Sequence, residues 1–238
     1  MSPKTTARAA GILYLVITVA AIVAHFYVPS SLIVPGDAAT TANNILASEP
    51  LFRVGIGSEV IVLLAEVVLS VILYVLLKPV NQTLSLLAMV SRLVMTTIHG
   101  LNLLNYYFVL LLLKGTAFAT VFDPSQLNAL VSLFLDAHGV GFTIGIVFLT
   151  IHVFTLGYLI FQSGYFPKVL GILFLLAGLG YLIDSLALLL FPAYGTTPIY
   201  LALPITISEI AFPLWLLIKG LNVERWEVRA REAVGLVA

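Results

Sequence analysis

The chain has 238 residues, of which 61% are hydrophobic and 9% are charged, whereas soluble domains are about 25% charged. Its 11 basic and 11 acidic residues give no formal net charge, and cysteine is absent. This composition excludes an ordinary soluble protein, because the polar side chains are too few to cover a surface in water. It also excludes nucleic acid as a partner, since that needs a basic surface, and it excludes thiol chemistry.

Six stretches are long and apolar enough to cross a bilayer as helices, which takes about 20 residues each. The sequence therefore predicts an all-α integral membrane protein, a bundle of six transmembrane helices forming one domain over 1–220, with a tail at 221–238. The predicted spans are Ala9–Val28, Val54–Leu77, Leu84–Leu113, Gly139–Gln162, Val169–Phe191 and Ile199–Ile218.

Two loops carry helix-capping patterns. Asp123 before Pro124 is typical of an N-cap followed by proline at the first helical position, so the fourth helix is predicted to begin near Pro124 and to reach about Ser163. Asp37 begins a similar short helix in the first loop, which Pro50 is expected to end.

The distribution of Lys and Arg predicts the orientation, because cations near span ends stay on the cytoplasmic side. With the amino terminus inside, eight cations fall on inner segments and only Arg53 and Lys114 on outer ones. Both termini are then cytoplasmic, and the amphipathic segment 222–232 rests near the inner headgroups. The inner cations are Lys4, Arg8, Lys78, Lys168, Lys219, Arg225, Arg229 and Arg231.

Polar side chains within the spans are the candidate functional residues, since an unpaired charge near the bilayer centre costs at least about 2.5 kcal/mol. We expect the candidate binding residues to line a polar cavity that opens mostly outward. They are Glu59, Glu66, His99, Asn102, Asn105, Asp136, His138, Asp184 and Glu209, with Arg92, His25 and His152 as further polar positions.

Helical spacing groups several of these residues. Glu59 and Glu66 are seven residues apart and share a face, which suits either interhelical pairing or a water-filled proton or cation site. Arg92 suits either a structural ion pair or snorkelling to the inner interface, or else it compensates the charge of Glu66 in a gated pathway. His99, Asn102 and Asn105 suit an interhelical hydrogen-bond cluster.

Two further patterns concern kinking and metal binding. Glu209 lies between Pro204 and Pro213, which predicts a kinked helix with a carboxylate at the kink, as in the broken helices of transporters. His25, Asp136 and His138 are candidate metal ligands, although helix positions two apart diverge by about 200°. No motif for a nucleotide or for a serine nucleophile occurs, and no cofactor is evident.

Several phrases resemble a family of bacterial membrane proteins known as domain of unknown function 4386. The resemblance covers about 8–220 and implies a multi-span inner-membrane protein, but no activity, substrate or catalytic residue. The phrases begin at Leu32 (LIVPGDAA), Leu73 (LYVLLKPVN), Gly100 (GLNLLN), Phe134 (FLDAHG) and Gly178 (GLGYLIDS).

Three functions remain open. The first is binding or transport of a small solute, proton or cation at the polar cluster. The second is metal-assisted hydrolysis of a lipid-like substrate, and the third is a structural or regulatory partner role. An enzyme is not favoured; membrane lipids are the expected partners, and oligomerisation is possible.

Overall fold

The structure, a computed structural model, describes residues 2–115, 121–233 and 235. Over that part of the chain all regular elements are helical, and six helical segments are long and apolar enough to cross a membrane, which confirms the predicted fold class. The helices are α1 (Pro3–Ala21), a π-helical segment (Ile22–Tyr27), α2 (Val28–Leu32), α3 (Ala38–Ala47), α4 (Glu49–Leu77), α5 (Gln82–Asn102), α6 (Leu104–Lys114), α7 (Pro124–Ser163), α8 (Lys168–Leu190), α9 (Ile199–Ile218) and α10 (Val223–Ala233).

The predicted helix ends differ from the structure in the first loop. The short helix α3 ends at Ala47 with Ser48 as its C-cap, so Pro50 does not end it. Pro50 instead lies in the first turn of α4, where the missing N–H of proline leaves no helical hydrogen bond unmade.

Two spans are less regular than their hydropathy predicts. The first continues from α1 through the π-helical segment into α2, where Pro29 occupies the first turn. The third is interrupted between α5 and α6 by the single turn residue Leu103. π-Helical turns are frequent at functional sites, and His25 lies in this one.

Asp37 and Asp123 cap the N-termini of α3 and α7, as predicted. Asp37 accepts a hydrogen bond from the Thr40 N–H at 2.9 Å, and this bond holds the pKa of Asp37 below its usual range. Asp123 accepts from the Ser125 hydroxyl at 2.7 Å and the Gln126 N–H at 3.0 Å, with the same effect on its pKa.

The described residues form two compact units. The first unit contains residues within 1–15, 65–96 and 143–238, and the second contains 16–64 and 97–142. The second unit has an apolar core to which α2, α3, α4, α6 and α7 each contribute. Its most buried members are Ile45, Val109 and Val131, each 0% exposed.

In the first unit, the side chain of Phe212 is the centre of an aromatic cluster. Its ring makes edge contacts with the rings of Tyr14, Phe166 and Phe174, at centroid distances of 5.9, 5.7 and 5.3 Å. Edge-to-face contacts of this kind add to the stabilisation from burial. They tie α9 to α1, to α8 and to the connection that precedes α8.

The C-terminal helix α10 packs on the same unit. Asn222 caps it by accepting from the Arg225 N–H. The Trp226 indole N–H donates to the Leu76 carbonyl at 2.9 Å, and Arg225 donates to the Gly164 carbonyl at 3.0 Å. The end of α4, the α7–α8 connection and α10 therefore meet at one end of this unit.

Glycine allows α7 and α8 to approach closely. A Cβ atom built on Gly171 would lie 2.7 Å from both the Gly157 carbonyl oxygen and the Phe161 nitrogen. Both are backbone atoms, so the helices would have to move apart to relieve the clash. We expect Gly171→Ala to lower the free energy of unfolding by about 1–3 kcal/mol, measured as detergent-induced unfolding in mixed micelles.

The matched control is Gly57→Ala on α4, where a Cβ would meet nothing within 4 Å. This variant should be as stable as the wild type or slightly more stable, because alanine favours the helix. Equal stability losses in the two variants would contradict the close approach at Gly171.

Candidate functional site

The first unit contains a buried charge cluster around Arg92, which we call the Arg92 cluster (Tyr14, Glu66, Arg92 and His152). Arg92 donates through Nε and Nη2 to the two carboxylate oxygens of Glu66, the second bond at 2.9 Å. Both side chains are 7% exposed. Charge-assisted hydrogen bonds with this two-bond geometry are among the strong ones in proteins, and both carboxylate oxygens of Glu66 are paired with Arg92.

The third contact of Arg92 fixes the tautomer of His152. Arg92 Nη1 lies 2.9 Å from His152 Nε2, and His152 Nδ1 lies 2.9 Å from the Ala88 carbonyl oxygen. A guanidinium can only donate, so Nε2 accepts and Nδ1 carries the proton that is donated to Ala88. His152 is therefore a neutral imidazole that orients Arg92.

Tyr14 completes the cluster from α1. Its hydroxyl accepts from Arg92 Nη1 at 3.4 Å, and the guanidinium carbon lies 5.3 Å from its ring centroid. Helices from four spans thus converge on one guanidinium, and the arrangement ties those helices together. This favours the structural interpretation of Arg92 over compensation of the Glu66 charge in a gated pathway.

Glu209 lies in the same unit, but its hydrogen-bond partner and its exposure differ from those of Glu66. The Tyr181 hydroxyl of α8 donates to Glu209 Oε1, and Glu209 is within electrostatic range of Arg92 and Glu66. Its side chain is exposed, in contrast to the buried Glu66. Since Arg92 is already paired with Glu66, an ionised Glu209 leaves this group of residues with one surplus negative charge.

The second unit contains a separate buried pair, Glu59 and His138. Glu59 is 2% exposed and His138 is 5% exposed. His138 Nε2 lies 3.3 Å from Glu59 Oε2, which is within ion-pair distance. The angles do not make this contact a hydrogen bond, however, and within the described residues neither Glu59 oxygen has another hydrogen-bond partner.

An aromatic ring and amide side chains from neighbouring helices contact His138 of this pair. The Tyr106 ring stacks on the His138 imidazole with centroids 3.8 Å apart and an 11° interplanar angle. Asn102 donates to the His138 carbonyl at 2.9 Å, and Asn105 donates to the Asn102 oxygen at 2.9 Å. Gly141 makes room for this amide, because a Cβ there would lie 2.6 Å from Asn102 Cγ.

The ring of Phe142 contacts two further histidines in this unit. His99 stacks on the Phe142 ring at 4.7 Å, and His25 contacts the same ring at 4.8 Å. His99 Nε2 also lies 3.0 Å from the Phe142 carbonyl oxygen. His25 is within electrostatic range of Glu59, His138 and His99, so these four groups form one polar region.

Two predicted site residues lie elsewhere. Asp136 is exposed and lines a pocket of about 240 Å³ with the first loop, on a different side of α7 from the buried His138. Asp184 accepts from the Tyr194 hydroxyl at 2.6 Å and the Thr197 hydroxyl at 3.0 Å. Partial burial and this bond raise the pKa of Tyr194 to about 12, and Asp184 thereby anchors the α8–α9 loop.

The candidate metal ligands do not come together as a set. Asp136 and His138 point apart, and nowhere in the described ranges do three His, Asp or Glu side chains gather as a metal site. Sequence reasoning missed Tyr14, Tyr181 and Phe142. Each occurs in an apolar stretch, where an aromatic residue gives no sign that it will contact a charged or imidazole group.

The six long apolar helices define the class: the protein is a multi-pass helical membrane protein. Residues 9–220 match the family model described as Domain of unknown function (DUF4386), so the chain belongs to that family, as its resemblance predicted.

A relative among curated proteins is an uncharacterised protein of the archaeon Archaeoglobus fulgidus. It is 31% identical over 160 residues, which cover 67% of this chain and 80% of the relative. No solved structure matches the chain.

Proposed function

We propose that the chain is a proton-binding membrane protein in which the proton held by Glu59 and His138 is coupled to binding or transport of a small solute. The observation that supports this most is the state of Glu59. Its carboxyl is almost fully buried, has no hydrogen-bond partner within the described residues, and lies 3.3 Å from an imidazole nitrogen.

The physical argument is one of net charge. With one proton, the pair is neutral overall, either as carboxylate and imidazolium or as carboxylic acid and imidazole. Without it, a net negative charge is buried in a medium of low dielectric constant, which costs several kcal/mol. Release of the proton therefore requires water, a cation or a rearrangement at the pair. This requirement couples release of the proton to binding or transport of the solute.

The side chains around Glu59 and His138 include further titratable groups, which suits exchange of a proton with the pair. Tyr106 covers one face of His138, and His25 and His99 lie in the same polar region. Arg92 and Glu66, by contrast, satisfy each other, so they are not part of the proposed proton site. Intramembrane carboxylates and imidazoles are the usual groups of proton relays in pumps and transporters.

We place the protein in the cytoplasmic membrane with both termini inside. In the first unit, the end of α4, the α7–α8 connection and the C-terminal helix meet. Lys78 and Lys168 flank these segments, and α10 carries Arg225, Arg229 and Arg231. The distribution of cations in the sequence and the positive-inside rule support this orientation. The sequence phrases resemble bacterial proteins and the relative is archaeal, and a cytoplasmic membrane is common to both.

The test is proton movement in vesicles that contain the purified full-length chain and an internal pH-sensitive dye. After a pH step, wild-type vesicles should dissipate the gradient faster than empty vesicles. Glu59→Gln should reduce the rate to that of empty vesicles, because an amide cannot exchange a proton in this range.

The matched control removes one negative charge from an exposed position, Glu227→Gln on α10, and should retain the wild-type rate. A wild-type rate equal to that of empty vesicles contradicts proton transport by the chain. An unchanged rate in Glu59→Gln contradicts the role of this residue.

A further inference from the structure

Glu209 presents a carboxylate in the middle of a membrane span. It lies ten residues after the start and nine before the end of α9, and its side chain is exposed. The large exposed residues around it on α9 are apolar, namely Leu203, Ile207, Ile210 and Leu214. A lone charge in this setting costs at least about 2.5 kcal/mol, so it requires a counter-charge or a proton.

The described residues of the first unit do not supply a counter-charge of their own for Glu209. Arg92 is the cation in range, and both oxygens of Glu66 already accept its hydrogen bonds. Tyr181 donates one neutral hydrogen bond to Oε1, which leaves Oε2 available to a donor. The site therefore has a surplus negative charge that is accessible from outside the unit.

The backbone adds one hydrogen-bond acceptor at the same residue. Pro213 has no N–H to donate to the carbonyl of Glu209. The local groups are thus a carboxylate and one carbonyl that lacks its helical N–H donor. They match a ligand that brings several N–H donors and a positive charge.

We infer that Glu209 and Tyr181 form a binding site for a protonated primary amine that carries an apolar chain. The ammonium would donate to Glu209 Oε2 and to the Glu209 carbonyl, and the chain would lie along the exposed apolar residues of α9. An inorganic cation fits less well, because no third carboxylate or imidazole of the described residues gathers here to complete a coordination shell. The inference does not depend on the Glu59 and His138 pair.

The probe is dodecylamine, which like lysine is protonated at neutral pH, added to the full-length protein in lipid nanodiscs. Dodecanol has the same chain without the charge, and dodecyltrimethylammonium has the charge without N–H donors. Wild-type protein should bind dodecylamine at least about tenfold more tightly than either control, since a hydrogen bond to a charged group is worth a factor of that order.

Glu209→Gln should reduce dodecylamine affinity to that of dodecanol, and Tyr181→Phe should change it by a smaller factor because the carboxylate remains. Glu227→Gln, which removes an exposed charge outside the span, should bind like the wild type. Equal loss in Glu209→Gln and Glu227→Gln, or no loss in either, would overturn the inference. So would a wild type that binds dodecanol as tightly as the amine, as expected if Glu209 is simply protonated or covered by a second copy of the chain.

A second measurement needs no change at Glu209. Trp215 follows Glu209 by six residues, which is about 9 Å along the helix, and Trp226 is the second tryptophan of the chain. In a Trp226→Phe background, brominated dodecylamine should quench Trp215 fluorescence saturably and brominated dodecanol should not. Equal quenching by the two probes would overturn the inference even if Glu209→Gln fails to fold.

Discussion

Arg92→Met should destabilise the protein by about 3–5 kcal/mol, because it leaves the Glu66 carboxylate buried without a partner. Glu66 is 5% exposed and both its oxygens accept from Arg92, so burial limits the access of water that would replace the guanidinium. Glu66→Met should have a similar effect by leaving Arg92 unpaired. The measurement is the free energy of unfolding in mixed micelles as the fraction of denaturing detergent is raised.

The double variant Glu66→Met with Arg92→Met is the control for this interpretation. Replacing both members of a buried ion pair with apolar side chains is often neutral or stabilising, so the double variant should recover most of the loss. Additive losses in the double variant would contradict a mutually dependent pair. They would show that each side chain stabilises the fold through other contacts.

Glu59→Met, on the same face of the same helix, should have the opposite sign and stabilise the protein by about 1–3 kcal/mol. A buried polar group without hydrogen bonds costs about this much, and neither oxygen of Glu59 has a hydrogen-bond partner in the described part of the chain. The apolar methionine removes that cost. The same unfolding measurement applies, and proton movement should be lost although stability rises.

Glu59→Gln separates charge from polarity at this position. The amide keeps a buried polar group, so stability should rise less than in Glu59→Met. A loss of stability in Glu59→Met comparable to that of Glu66→Met would contradict the assignment. It would mean that Glu59 is a structural anchor as Glu66 is.

The contrast between these two glutamates shows what the sequence could predict. Their spacing of seven residues placed both on one face of α4, which is a local property of a helix. Their partners come from other helices, Arg92 for Glu66 and His138 for Glu59. Those partners depend on the depth and rotation of each helix, and spacing within one helix carries no information on either.

The rest of the candidate site divides in the same way: features within one helix can be predicted from the sequence, and contacts between helices cannot. The six spans follow from hydropathy, because burial in lipid acts on about 20 residues at once. The divergence of Asp136 and His138 could be predicted because it is geometry within one helix. The contacts of Tyr14 with Arg92, of Tyr181 with Glu209 and of Phe142 with His99 could not, since a hydropathy scale counts these aromatic residues with the apolar background.

The proposed proton site at Glu59 and His138 is tested most directly by infrared difference spectroscopy of the full-length protein across a step in pH. We expect a C=O stretching change of a carboxyl group that gains or loses a proton, shifted in heavy water. The band should be absent in Glu59→Gln and present in Glu209→Gln and Glu227→Gln. A wild type with no carboxyl band, or a band that persists unchanged in Glu59→Gln, would contradict a proton site at Glu59.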